Sequence, residues 1–128
     1  MSPDKDAELC RKYPMLYAQR ETCTCFGFEC GGGWYALIDR LSAALEAING
    51  TLKADERIEA VQVKEKYGGL RFYTNGAPVG VCDRVDAMIR AAEKESYRTC
   101  EQCGKPGKPN ANGWITTLCN ECRSRARS

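Results

Sequence analysis

The sequence contains no histidine. That absence excludes Ser-His-Asp and Cys-His catalysis, along with any imidazole metal ligand. It leaves cysteine, alone or with carboxylates, to hold any zinc. Long apolar runs are lacking too. No stretch approaches the roughly 18–20 apolar residues that span a bilayer, so no membrane role is expected. The opening Met1-Ser-Pro-Asp-Lys-Asp6 is charged and lacks the apolar run of a signal peptide. Strong net charge is missing as well: the formal balance is +2, which names no partner. A cytoplasmic location is the expectation. There thiols stay reduced, and clustered cysteines favour metal over disulfides.

Cysteine is what the chain has in excess, nine in 128 residues. Four of them form Cys100-Glu-Gln-Cys103 and Cys119-Asn-Glu-Cys122, fifteen residues apart. This is a structural zinc spacing. Each pair can curl one tight turn around a cation, and four thiolates close the tetrahedron that Zn2+ prefers. Gly104 follows the first pair, where a knuckle often needs positive φ. Residues 105–113 are turn chemistry. Trp114 to Leu118 is β-rich, and Arg123 to Arg127 can form a short helix. Knuckle, hairpin, second knuckle and helix describe a zinc ribbon or a treble clef. A closed four-thiolate site leaves no position for water, so its first role is folding. Thirty residues cannot build a sizeable core, and the metal replaces one. The competing readings are a redox pair or buried thiols.

A second Cys-rich stretch holds Cys23, Cys25 and Cys30. With Cys10 they are candidates for a second metal site; the alternative is packing as small buried hydrophobes. Gly31 to Ala36 also fits G-x-G-x-x-A. Trp34 and Tyr35 place bulk where a pyrophosphate would sit, and the chain has no room for a doubly wound sheet. The glycines are better read as setting the angle of the helix that follows.

That helix places Trp34, Leu37, Ile38, Leu41, Leu45 and Ile48 on one face, and Asn49-Gly50 stops it. Residues 57–75 read as a β-hairpin turning at Gly68-Gly69. Tyr67 then pairs with Leu70, Lys66 with Arg71, Glu65 with Phe72 and Lys64 with Tyr73. One face is Val61, Val63, Tyr67, Leu70 and Phe72, with Glu65 a misfit. The other is Gln62, Lys64, Lys66, Arg71 and Tyr73. A second helix over 80–97 buries Val81, Val85, Met88, Ile89, Ala92 and Ser96.

The expected fold is α+β: two helices packed on a β-hairpin, with a C-terminal four-cysteine module. Residues 1–20 form a partly disordered N-terminal segment with a weak apolar set, Leu9, Tyr13, Leu16 and Tyr17. Residues 21–98 form the core, and 99–128 the zinc module with a basic tail. Six basic and two acidic residues lie in 98–128. Such asymmetry suits an acidic protein face or nucleic acid.

Four segments, FGFECGGGWYALIDRL, VQVKEKYGGLRFYTNG, AAEKESYRTCEQCGKPG and GWITTLCNEC, resemble a family of small phage and prophage zinc-ribbon-like proteins of unknown function. The resemblance covers roughly residues 20–123. It implies action in a bacterial host cytoplasm and sets the paired cysteines at Cys100, Cys103, Cys119 and Cys122. It carries over no catalytic role.

The expected function is non-enzymatic: binding and blocking or redirecting a host protein complex of the defence or transcription machinery. Candidate contacts are Lys64, Lys66, Arg71, Tyr73, Trp114, Arg123, Arg125 and Arg127. The alternative is a DNA- or RNA-binding regulator that uses the zinc module and the basic hairpin face. No small-molecule substrate is expected. A zinc deaminase would need a Pro-Cys-x-x-Cys element, but Thr99 and Leu118 precede the two pairs.

Overall fold

Ser2 caps the first helix, α1 (Pro3–Lys12), by accepting the Lys5 N–H on its Oγ at 3.3 Å. Pro3 sits in the first turn, where its missing N–H costs nothing. The computed structural model describes residues 1–22 and 27–127. Leu9, Tyr13, Leu16 and Tyr17 are all buried. The N-terminal segment therefore contributes four side chains to the core. Burial of its apolar set supplies what its short helix lacks alone.

A single turn, α2 (Gln19–Thr22), and a two-residue strand, β1 (Phe28–Glu29), lead through a 3-10 turn at Gly32–Trp34 into α3 (Tyr35–Asn49). Trp34 and the expected stripe of α3, Leu37, Ile38, Leu41, Leu45 and Ile48, are buried. Strands β2 (Ala60–Lys66) and β3 (Gly69–Thr74) form the hairpin, and α4 (Cys82–Ser96) follows. Val85 and Ser96 on α4 are buried, while Val81, Met88, Ile89 and Ala92 pack on the core. The chain closes with β4 (Lys108–Pro109), β5 (Thr117–Leu118) and α5 (Asn120–Arg127). Mixed helix and small sheets fit the α+β expectation.

The main sheet has the order β1-β2-β3. β1 lies parallel to β2, with Phe28 opposite Val63. The hairpin register differs from the expected one. Glu65 faces Leu70 and Lys66 faces Gly69, so the turn is Tyr67-Gly68. Each residue of β3 meets a partner two positions earlier on β2 than anticipated. A shift of two preserves side-chain parity, so Gln62, Lys64, Lys66, Arg71 and Tyr73 still share the outer face. Two residues leave the expected inner face. Tyr67 moves into the turn, and a bulge between Ala60 and Gln62 leaves Val61 partly exposed. The misfit Glu65 is also explained: its carboxylate accepts the Gly68 N–H at 2.7 Å and closes the turn.

Helix α4 covers the free edge of β3. Ser96 Oγ accepts the Leu70 N–H at 2.8 Å, and the Glu93 carboxylate accepts the Phe72 N–H at 3.0 Å. An edge covered in this way cannot pair with another chain. Asn49, fully buried at the end of α3, accepts the Ile58 N–H at 2.8 Å and donates to the Ile58 carbonyl at 2.9 Å. It replaces a missing strand partner at the start of the sheet.

Two predictions follow from these contacts. Asn49→Ala leaves both Ile58 backbone groups buried and unpaired, and is expected to cost about 1–3 kcal/mol by urea denaturation. On α3, Asp39 accepts from Lys12 at 2.7 Å and Tyr13 at 2.6 Å. Burial pushes the Asp39 carboxyl up, but these two hydrogen bonds outweigh it and hold the group below its ordinary value. The stability it contributes is present above the unfolded carboxyl pKa and is lost as pH falls through the lowered one. Asp39→Asn should flatten this part of the acid denaturation curve.

Candidate metal centre

The Cys100 N–H donates to the Lys105 carbonyl at 2.7 Å, and the Gly104 N–H donates to the Cys100 carbonyl at 2.9 Å. These bonds fold residues 100–105 into a knuckle. Gly104 has φ +83°, the left-handed conformation anticipated for it. The second pair has a different setting. Cys119 precedes α5 and Cys122 lies in its first turn. The Cys122 N–H points at Cys119 Sγ, 3.4 Å away, so the thiol caps the helix. Strands β4 and β5 pair antiparallel between the two Cys pairs.

The four sulfurs of Cys100, Cys103, Cys119 and Cys122 lie within 4.8 Å of one another. All four cysteines are free thiols, and Cys103 and Cys119 are 3.6 Å apart at sulfur. A tetrahedral cation with metal–sulfur bonds of about 2.3 Å sets its sulfurs about 3.8 Å apart. The donor set and its spacing therefore fit a metal ion.

Electrostatics favours the same conclusion. Burial pushes the Cys100 thiol up, yet backbone N–H groups of Cys119, Cys103 and Gln102 outweigh it and bring it down to about 6. Cys122 is pushed up to about 12, first by the neighbouring Cys119 thiol and then by burial. Cys100 thus loses its proton more readily than Cys103 or Cys122. A cation removes that difference by drawing all four thiols into the deprotonated state.

No protein-family model, curated protein or solved structure matches the chain. Its own contacts must identify what the centre holds in place.

The module is locked onto the body. The Gly33 N–H donates to the Glu101 carbonyl at 2.7 Å, and the Gly31 N–H to the Glu101 carboxylate at 2.8 Å. Trp34 Nε1 donates to the Thr99 carbonyl at 2.8 Å. On the other side, Thr117 Oγ1 donates to the Gly68 carbonyl at 2.6 Å and grips the hairpin turn. The triple glycine thus does more than aim α3. A Cβ on Gly33 would overlap the carbonyls of Cys100 and Glu101. Glu101 carried no signal of this role in the sequence. Burial pushes its carboxyl up, partly offset by the Gly31 N–H.

Of the second cysteine set, Cys23 and Cys25 lie outside the described residues. Cys30 is buried in the core and Cys10 packs against it. Burial pushes both thiols up, Cys30 to about 12, as fits packed neutral side chains. Lys64 and Arg71 are half-buried, while Lys66, Tyr73 and Trp114 are exposed. Arg71 donates to the Tyr97 hydroxyl at 3.3 Å and the Leu70 carbonyl at 3.1 Å. Arg123 clamps the module, donating to the Lys108 and Thr116 carbonyls at 2.6 and 3.3 Å. Arg125 lies 3.8 Å from Glu121, and the Arg127 side chain lies outside what the structure describes. Sequence reasoning missed Tyr67, assigned to the inner face, and Ile115. Both border a cleft of about 420 Å³ with Lys66 and Trp114. Among the described residues, no helix is long and apolar enough to cross a membrane.

Gly33→Ala is expected to force the loop off the knuckle. It should cost about 1–3 kcal/mol in denaturant while leaving the helical circular dichroism of the folded state intact.

Proposed function

We propose that the chain is a zinc-stabilised, non-enzymatic docking protein that acts on a protein complex of a bacterial host. Zinc is the ion best suited to four thiolates at tetrahedral spacing. The second pair at the start of α5 favours a treble clef over a ribbon. The phage and prophage resemblance supplies the cellular setting: the bound protein blocks or redirects a defence or transcription assembly.

The observation that carries this reading is the cleft beside the metal module. Tyr67 is 70% exposed and Trp114 84% exposed. Large aromatic side chains left in water next to a rigid, metal-held frame are typical anchors of protein interfaces. The acidic residues Asp39, Glu65 and Glu29 do not converge on a site. Asp39 holds Lys12 and Tyr13, Glu65 closes the turn, and Glu29 lies on an edge strand. Four thiolates on one ion leave no open position for a substrate.

The nucleic-acid alternative draws less support. A phosphate track needs a line of available cations. Arg71, Arg123 and Arg125 are engaged with groups of the chain itself.

Cys100→Ser and Cys119→Ser should each lose the single equivalent of zinc measured by native mass spectrometry. Stability should fall on the order of 5 kcal/mol or more. Zinc should also dissociate on acidification, because the ligands bind as thiolates. Retained metal with an unchanged melting profile would refute the assignment. Affinity capture from bacterial lysate should yield a stoichiometric protein complex that survives nuclease and is lost after chelation. Failure to retain any protein across several hosts removes the docking reading.

A further inference from the structure

Tyr67 occupies a backbone conformation it does not favour. Its φ is +55°, and Gly68 follows at +84°. Two left-handed residues in succession make the tight turn of a right-twisted hairpin, where Asn-Gly or Gly-Gly is preferred. Among the described residues, Tyr67 is the one non-glycine residue with positive φ. A bulky residue there is strained. Packing within the chain does not compensate, since most of the ring is in solvent. Strain kept at an exposed aromatic side chain points to a use for the ring.

The opposite wall is fixed as firmly. Asn110 Nδ2 donates to the carbonyls of Asn112 at 2.6 Å and Trp114 at 2.9 Å, and its Oδ1 accepts the Thr116 N–H at 2.8 Å. One side chain thus ties down the loop that carries Trp114. Glu65 does the same for the turn that carries Tyr67. Both aromatic side chains stand on ordered backbone, so a ligand there meets little ordering cost.

Charge gives the cleft a sign. Lys66 Nζ lies 5.7 Å from the centre of the Tyr67 ring, and Lys64 follows on the same face. Glu65 also borders the cleft, but its carboxylate is held on the Gly68 N–H. With Lys64 two residues along from Lys66, this side of the cleft carries two ammonium groups against the one carboxylate of Glu65.

We infer that the Tyr67–Trp114–Ile115 cleft receives one large apolar side chain from a partner-protein segment rich in Asp and Glu. The inference rests on the docking reading above and adds the location and chemistry of the contact. The apolar walls take the anchor residue, and Lys64 and Lys66 meet the flanking carboxylates. One wall comes from the hairpin and the other from the metal module. The site is complete only while the thiol cluster holds the two together.

The test uses the zinc-loaded full chain and defined peptides. One set of twelve-residue peptides carries a single Phe or Leu flanked by Asp and Glu. Matched sets replace the acidic residues with Lys, or the anchor with Ser; oligothymidylate is the nucleic-acid probe. Trp emission reports binding, because Trp114 is exposed while Trp34 is buried. The expected result is a saturable change with the anchored acidic peptides alone. Tyr67→Asn suits the turn better, so it should melt at the same or a higher temperature while weakening binding at least about tenfold.

Several results overturn the inference: saturation by the Lys set or by oligothymidylate, no saturation by any acidic peptide below about 5 mM, or unweakened binding by Tyr67→Asn. An unfolded Tyr67→Asn would show that the ring is structural, and a dimer dissolved by that substitution would assign the cleft to a second copy. A lysate partner captured equally by wild type and Tyr67→Asn leaves the docking reading standing and removes this site. Capture by neither removes the docking reading.

Discussion

Four sulfurs converge where two distant parts of the chain must meet. Cys100 and Cys103 sit on a knuckle directly after α4, and Cys119 and Cys122 begin α5. The final thirty residues contain little that could otherwise hold them. Their buried apolar cluster is Cys100, Leu118 and Cys122, and two of those three belong to the four-thiol group. A segment of that size cannot offset its conformational entropy by burial alone. Bonds from the four clustered thiols to an ion would supply the difference, and the folding of this end would then depend on metal occupancy.

The body is built to accept that end closely. The glycine loop before α3 presses its backbone onto the knuckle, and the buried Trp34 ring reaches across to the Thr99 carbonyl. The hairpin turn is held from the other side by Thr117. Body and module therefore share hydrogen bonds at the glycine loop and at the hairpin turn. The aromatic cleft lies on this seam, with one wall from the hairpin turn and the other from residues 113–115.

The sequence carried some of this in local form and some not at all. The α3 stripe was legible because a 3.6-residue period survives any tertiary context. The paired cysteines were legible because ligand spacing is a local constraint. The outer hairpin face is legible although the turn is not, since a register difference of two leaves parity unchanged, while Val61 and Tyr67 leave the inner face. The turn itself was misplaced because Tyr67 takes a conformation that propensity assigns to glycine. Three features had no local signal: the two-residue parallel strand β1, the pairing of Asn49 with Ile58, and the reach of Glu101 to the glycine loop. Each rests on a partner fixed by the tertiary fold, far from the residue's immediate neighbours. The apolar set of the N-terminal segment is weak alone, and its burial depends on the rest of the core.

Backbone amide exchange with and without the metal tests the central claim most directly. In the zinc-loaded protein the Gly31, Gly33 and Glu101 amides should exchange slowly. After chelation they should speed up together, along with the Cys100 and Gly104 amides of the knuckle, while the Leu41 and Leu45 amides of α3 stay protected. If these knuckle and loop amides keep their protection once the metal is gone, the module is held by packing alone and the account is wrong.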